Sequence, residues 1–313
     1  MIIPLPDTTT RKIAKKLVEM QEHYTLTTGR VLTLIVVAYK EDNLESILSS
    51  VRDASHEHPS RVLLVVSGDE TAPTSLDAEL RVGGEAGASE IVVMQLHGAL
   101  ADQAEAVVTP LLLPDTPLVA WWPTAGPESP AADPIGALAQ RRITNVAYGT
   151  GANQFDLRLL SQGYTPGDSD MSWGAITLWR GIVASALDRH PHEEVTSVEL
   201  LGASCHPAVD FAAGWLADAL SVPVSRSSDG PREGERSNLF PITRLRFNRP
   251  TAPVEVEVVD SSTVRVSMPG APESLVNLTV RSQAEVLSEE LRHLDADKTY
   301  AHALRALARV DYS

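Results

Sequence analysis

Cysteine is nearly missing: the 313 residues contain one, Cys205. One thiol cannot close an intrachain disulfide or supply a cysteine-rich zinc site, and so sparse a use of sulfur fits a reducing compartment. Positive charge is also scarce. Lysine and arginine number 26 against 41 aspartates and glutamates, a formal net charge of −15. Such a balance offers no general attraction to phosphate backbones or an anionic lipid surface, so neither nucleic acid nor membrane is expected as a partner. No apolar run is long enough to span a bilayer. The opening Met1-Ile2-Ile3-Pro4-Leu5-Pro6-Asp7 lacks the basic and apolar regions of a secretory signal, which leads to a cytoplasmic expectation. There is no Walker A sequence, no internal repeat and no low-complexity tract.

What is present reads as a globular chain of two domains, with 43% hydrophobic and 21% charged residues. The runs at 30–37 and 61–67 are continuous and β-branched, as in strands buried on both faces, with an amphipathic helix at 41–55 between them. That order predicts a parallel sheet. Alternation at 75–82 and an apolar run at 89–96, separated by Gly83, Gly84 and Gly87, predict a hairpin. Further helices are predicted at 8–24, 99–108 and 135–139, with strands at 118–123 and 142–148. A turn-rich joint over 163–170 divides the chain into a domain at 1–165 and another at 166–313. In the second, one long helix is predicted at 172–188, a strand at 195–201 and a helix at 207–220. Residues 226–238 are charged or small and predict a mobile loop. Three antiparallel strands follow at 242–248, 254–259 and 264–268, with a fourth over 275–280 and closing helices at 283–293 and 296–310. The fold class is α/β in both domains: a mixed sheet with flanking helices, then an α/β (α+β) unit carrying an antiparallel sheet.

The chemical motifs are weak. Gly149-Thr150-Gly151 follows a strand as a dinucleotide loop does, but Gln154 stands at the third glycine position. Gly202-Ala203-Ser204-Cys205-His206 has the strand-to-helix setting of a nucleophile elbow without its second glycine; Ser204 reads better as a helix cap, with Pro207 in the first turn. His56-Glu57-His58 and His190-Pro191-His192 lack the spacing of a zinc helix. No catalytic residue, cofactor or metal ligand is nominated. Arg11, Lys12, Lys15 and Lys16 form a basic cluster on the first helix. Trp121, Trp122, Trp173 and Trp179 gather near the joint with Arg141, Arg142 and Arg180, residue types that dominate protein interfaces.

Several blocks together resemble OpcA, the bacterial family of glucose-6-phosphate dehydrogenase assembly proteins, in its actinobacterial form. They are Leu5-Pro6-Asp7-Thr8-Thr9, Gly29-Arg30-Val31-Leu32-Thr33-Leu34, Leu111-Leu112-Leu113-Pro114-Asp115-Thr116-Pro117 running into Trp121-Trp122-Pro123, and Ala132-Asp133-Pro134. Ala137-Leu138-Ala139-Gln140-Arg141-Arg142-Ile143-Thr144, Gly163-Tyr164-Thr165-Pro166-Gly167-Asp168-Ser169-Asp170, and Trp173 with Thr177-Leu178-Trp179-Arg180 follow in order. The resemblance implies a non-catalytic partner of glucose-6-phosphate dehydrogenase that assembles or allosterically activates it, and so supports NADPH supply in the pentose phosphate pathway. The residues expected to meet the partner are Trp121, Trp122, Arg141, Arg142, Asp168, Asp170 and Arg180. The alternatives are a sugar-phosphate-binding enzyme or sensor of the same pathway, and a nucleotide sensor using Gly149 and Gly151. Phototroph relatives are associated with redox control through cysteines; with Cys205 alone an internal disulfide switch cannot operate.

Overall fold

A computed structural model describes residues 1–23, 30–124, 126–148, 157–189, 192–230 and 238–312. In chain order its elements are β1 (Ile2–Leu5), α1 (Thr10–His23), β2 (Leu32–Tyr39), α2 (Leu44–Ala54), β3 (Ser60–Ser67), β4 (Ser75–Arg81), β5 (Glu90–His97), α3 (Ala104–Val108), β6 (Leu118–Trp121), α4 (Pro134–Leu138), β7 (Arg141–Thr144), α5 (Leu157–Gly163) and β8 (Asp168–Asp170). They continue with α6 (Met171–Ala175), α7 (Thr177–Leu187), β9 (Ser197–Gly202), α8 (Pro207–Leu220), β10 (Val224–Ser228), β11 (Ile242–Asn248), β12 (Val254–Val258), β13 (Thr263–Ser267), β14 (Ser274–Asn277), α9 (Gln283–Arg292), α10 (Lys298–Ala306) and β15 (Val310–Tyr312).

The contacts group into two compact units. The first comprises Met1–Tyr148, Gly163–Ser169 and Gln283–Ala296; the second holds the remainder. The expected boundary at 165/166 falls within the short segment that packs with the first unit, and α9 returns to that unit late in the chain.

The first sheet runs β1-β4-β5-β3-β2-β6-β7-β8. Its centre, β5-β3-β2-β6-β7, is parallel, and β4 and β1 add an antiparallel edge. Strands β2 and β3 are buried along nearly their whole length because apolar side chains leave both faces. Helix α2 turns Ile47, Leu48 and Val51 inward and is capped by Asn43, whose side chain accepts from Ser46 N at 3.1 Å. The predicted β4–β5 hairpin is present. At its turn Gly87 has φ +62° and lies against the Arg52 carbonyl and the Ser55 hydroxyl, where a Cβ would collide. Helix α9 packs on α2: Ser50 Oγ donates to Gln283 Oε1 at 3.0 Å, and the His58 ring meets the Ser288 carbonyl at 2.8 Å.

The second sheet runs β14-β13-β12-β11-β9-β10-β15. The predicted antiparallel strands form β11 to β14, but β9, β10 and β15 are mutually parallel, so this sheet is mixed as well. Three expectations need correction. The helix predicted over 172–188 breaks into α6 and α7 at Ile176, and the Gly174 carbonyl before the break accepts from Arg281 at 3.2 Å. The loop predicted from residue 226 begins as strand β10. There Arg226 is buried, paired with Asp210 at 3.0 Å and donating to the Ala203 carbonyl at 2.7 Å. Partnered charge let an arginine serve as core, which composition alone does not reveal. Residues 231–237 lie outside the described residues. The cap of α8 is His206, not Ser204: its ring accepts from Ala208 N at 3.3 Å, while Pro207 takes the first turn.

Candidate functional site

Arg141 and Arg142 are consecutive on β7, so their side chains leave opposite faces of the sheet. Each finds a buried partner. Arg142 ion-pairs with Asp168 and donates to the carbonyls of Ala139 and Pro166, both at 2.7 Å. Asp168 also accepts from Thr165 N at 2.7 Å, and Arg142 N donates to the Gly167 carbonyl at 2.9 Å. Burial pushes the Asp168 carboxyl upward, against the pull of the Thr165 amide and of Arg142. This pairing folds 163–168 back onto β7. Gly167 makes that possible: at φ +102° its missing Cβ would strike the Gln140 carbonyl.

On the other face Arg141 donates to Glu290 of α9 at 2.6 Å and to the Asp295 carbonyl at 3.2 Å. The same Glu290 oxygen accepts from Ser169 Oγ at 2.7 Å. Strands β7 and β8 and helix α9 are thus joined through one carboxylate.

In the second unit Asp170 caps α6 by accepting from Ser172 N at 2.8 Å. Trp173 donates its indole N–H to Asp297 at 2.8 Å and packs edgewise or tilted on Phe211 and Tyr300. The Arg180 guanidinium sits 3.6 Å above the Trp173 ring.

The seven residues expected to meet a partner are therefore mostly interior. Trp121 and Trp122 are at most 1% exposed, Asp168 and Asp170 at most 1%, Arg141 3% and Arg142 6%; Arg180 is half-buried against Trp173. Trp121 pairs β2 and β7 from the middle of the sheet, and Trp122 belongs to the hydrophobic core of the first unit. The hydrogen bonds and ion pairs of Arg141, Arg142, Asp168 and Asp170 fix the surrounding backbone. Gly149 and Gly151 lie outside the described residues, as does His190.

The first unit also contains a cleft of about 700 Å³ that the motifs did not point to. It opens where the carboxyl ends of β2, β3 and β6 meet. The chain leaves β2 for β3 and β5 on one side and comes back to β6 on the other, so the cleft lies at a topological switch point, where open α/β sheets hold ligands. Its lining includes the carboxylates of Glu41, Asp69, Glu70, Asp102, Glu105 and Asp133 and a single cation, Lys40. Asp133 is fixed as the cap of α4, accepting from Ile135 N and Gly136 N at 2.8 and 3.1 Å. Asp69 accepts from the amide and hydroxyl of Thr71 at 2.8 and 2.7 Å, which holds its carboxyl below the usual range. Tyr39 at the rim has its phenol pushed up by burial and by the nearby Asp133 and Asp42. Among the described residues no group of three or more histidines, cysteines or carboxylates is arranged to hold a metal ion. The cleft's signal in the sequence was an acid shortly after each of three strands, Glu41 after β2, Asp69 after β3 and Asp102 after β5, with Asp133 at the cap of α4.

Fold and site define a two-unit mixed α/β protein with buried arginine clamps and an acidic cleft at the carboxyl edge of a parallel sheet. Residues 51–162 match the family model for the glucose-6-phosphate dehydrogenase subunit N-terminal domain, and residues 166–304 match that for the C-terminal domain. The chain belongs to the OpcA family of glucose-6-phosphate dehydrogenase assembly proteins. A comparison with curated proteins found no match. Among solved structures, an oxidoreductase from Sinorhizobium meliloti aligns over 90% of this chain and 95% of that one, at 9% identity and a TM-score of 0.40. A likeness that slight carries no functional weight. No described helix is long and apolar enough to cross a membrane.

Proposed function

We propose that this chain is a non-catalytic accessory subunit that binds glucose-6-phosphate dehydrogenase, promotes its assembly and shifts it toward its active state, supporting NADPH supply in the cytoplasm. The observation that carries this reading is the pair of matching family models, which together span most of the chain from 51 to 304. An activator must bind the active state of its target more tightly than the inactive one, and it needs a shaped surface for that, not a reaction centre. We assign Trp121, Trp122, Arg141, Arg142 and Asp168 the task of holding the contact surface of the first unit in shape, and Asp170 and Arg180 the same task in the second. Domains dividing near 165/166 are part of the same proposal. The sugar-phosphate alternative gains nothing from the cleft, because six carboxylates against one ammonium repel a phosphorylated ligand. Light scattering on a mixture with the purified dehydrogenase of the same organism tests the association: a species heavier than either component is expected, and its absence at micromolar concentrations would overturn the reading.

A further inference from the structure

Open parallel sheets commonly hold anions at their carboxyl edge, where helix N-termini present free N–H groups. Here that edge is arranged against an anion. Asn43 occupies the cap of α2. Asp133 satisfies the first N–H groups of α4 with a carboxylate of the protein itself. The adjoining turns contribute Glu70, Asp102 and Glu105, which are exposed and whose carboxylates make no hydrogen bond or ion pair among the described residues. Lys40 is the only lining cation among the described residues, and it is drawn 3.7 Å from Glu41. The cleft therefore has a concave shape and an uncompensated negative field. Its walls of low polarizability concentrate that field on whatever enters.

We infer that this acidic cleft is a docking site for a lysine- or arginine-bearing segment of the dehydrogenase partner, seated at the carboxyl ends of β2, β3 and β6. The inference rests on the proposed association with that enzyme and specifies where on this chain it takes place. Long basic side chains suit the site. Their aliphatic stems can lie on the apolar lining left accessible at Val37, Pro127 and Pro134 while their charged heads reach the rim carboxylates. Charge complementarity of this kind speeds encounter and fixes register, so the association should weaken steeply as salt rises.

The test compares the wild-type chain with two isosteric triple variants of equal net charge. In one, the rim is neutralised by Glu70→Gln, Asp102→Asn and Glu105→Gln. In the other, three exposed carboxylates of the same unit but outside the cleft are neutralised by Asp53→Asn, Glu85→Gln and Asp115→Asn. Thermal unfolding confirms that each is folded, and binding to the purified dehydrogenase is titrated at low and moderate salt. The rim variant is expected to need about tenfold more protein for half-saturation and to lose much of its salt dependence, while the control variant matches wild type. Equal binding by wild type and rim variant, or equal weakening of both variants, overturns the cleft as the docking site while leaving the association intact. No binding by wild type at any salt overturns the association and the docking site together. A dimer of the chain alone that dissolves only in the rim variant overturns the inference in favour of a second copy, offering the exposed Arg11, Lys12 and Lys15 of its α1.

Discussion

Arg141 and Glu290 are 149 residues apart in sequence, yet the guanidinium donates to the carboxylate at 2.6 Å with both side chains about 95% buried. A pair so far from water is held because removing either member strands the other. Arg141→Ala should therefore cost about 3–5 kcal/mol of unfolding free energy in urea titration, as should Glu290→Ala. The double replacement Arg141→Met/Glu290→Met, which strands neither charge, should cost less than either single change. A double variant as damaged as the sum of the two would deny the coupling.

Gly167 supports the opposite face of β7. Alanine there must adopt a φ of +102° and overlap the Gln140 carbonyl while crowding Arg142. Gly167→Ala should lower stability by about 2–3 kcal/mol, measurable as a drop in Tm. Gly230, at φ +94° with no described atom near its missing Cβ, should lose less under the same change because only backbone strain is added.

Asp297 does two jobs in the second unit. One oxygen caps α10 through Thr299 N and Tyr300 N at 2.8 and 3.0 Å, and the other takes the Trp173 indole. Asp297→Ala should cost about 2–4 kcal/mol, combining a lost cap with a stranded N–H. Trp173→Phe in the Asp297→Ala background should add less than it does alone. Strictly additive free energies from denaturant unfolding would contradict the shared contact.

The Glu45–Arg81 pair sets a small pH dependence. Arg81 donates to Glu45 at 2.8 Å and holds its carboxyl below the usual range. A depressed carboxyl stabilises the fold above its unfolded value of about 4.3, and that contribution is lost as pH falls through the lower folded value. Glu45 is largely exposed, so Glu45→Gln should cost only about 0.2–1 kcal/mol at pH 7. The difference from wild type should shrink in Tm measurements as pH is lowered through the range in which the folded carboxyl protonates. A gap that persists unchanged in acid would rule out this linkage.

Much of the fold was legible because it is written in periodicity. The β-branched runs of β2 and β3 and the inward stripe of Ile47, Leu48 and Val51 on α2 have no other economical burial. The short edge strands β1 and β15 were missed because three or four residues carry too little pattern. Strand β10 was missed because Arg226 is interior only by virtue of Asp210, a partner 16 residues away. The tryptophans and arginines near the joint stand out by residue type, but residue type does not distinguish an interface from a buried clamp. Arg141 needed Glu290 and Arg142 needed the turn at Gly167 before their burial could be known. The cleft escaped because its acids are dispersed along the sequence, and they converge only once the strand order brings the ends of β2, β3 and β6 together.

The central claim is most directly tested by titrating this protein into its own organism's purified glucose-6-phosphate dehydrogenase while following NADPH formation. A saturable rise in rate, reached at the same ratio at which light scattering shows the complex to be full, is the expected result. An unchanged rate across micromolar concentrations, with no complex formed, would contradict the accessory role.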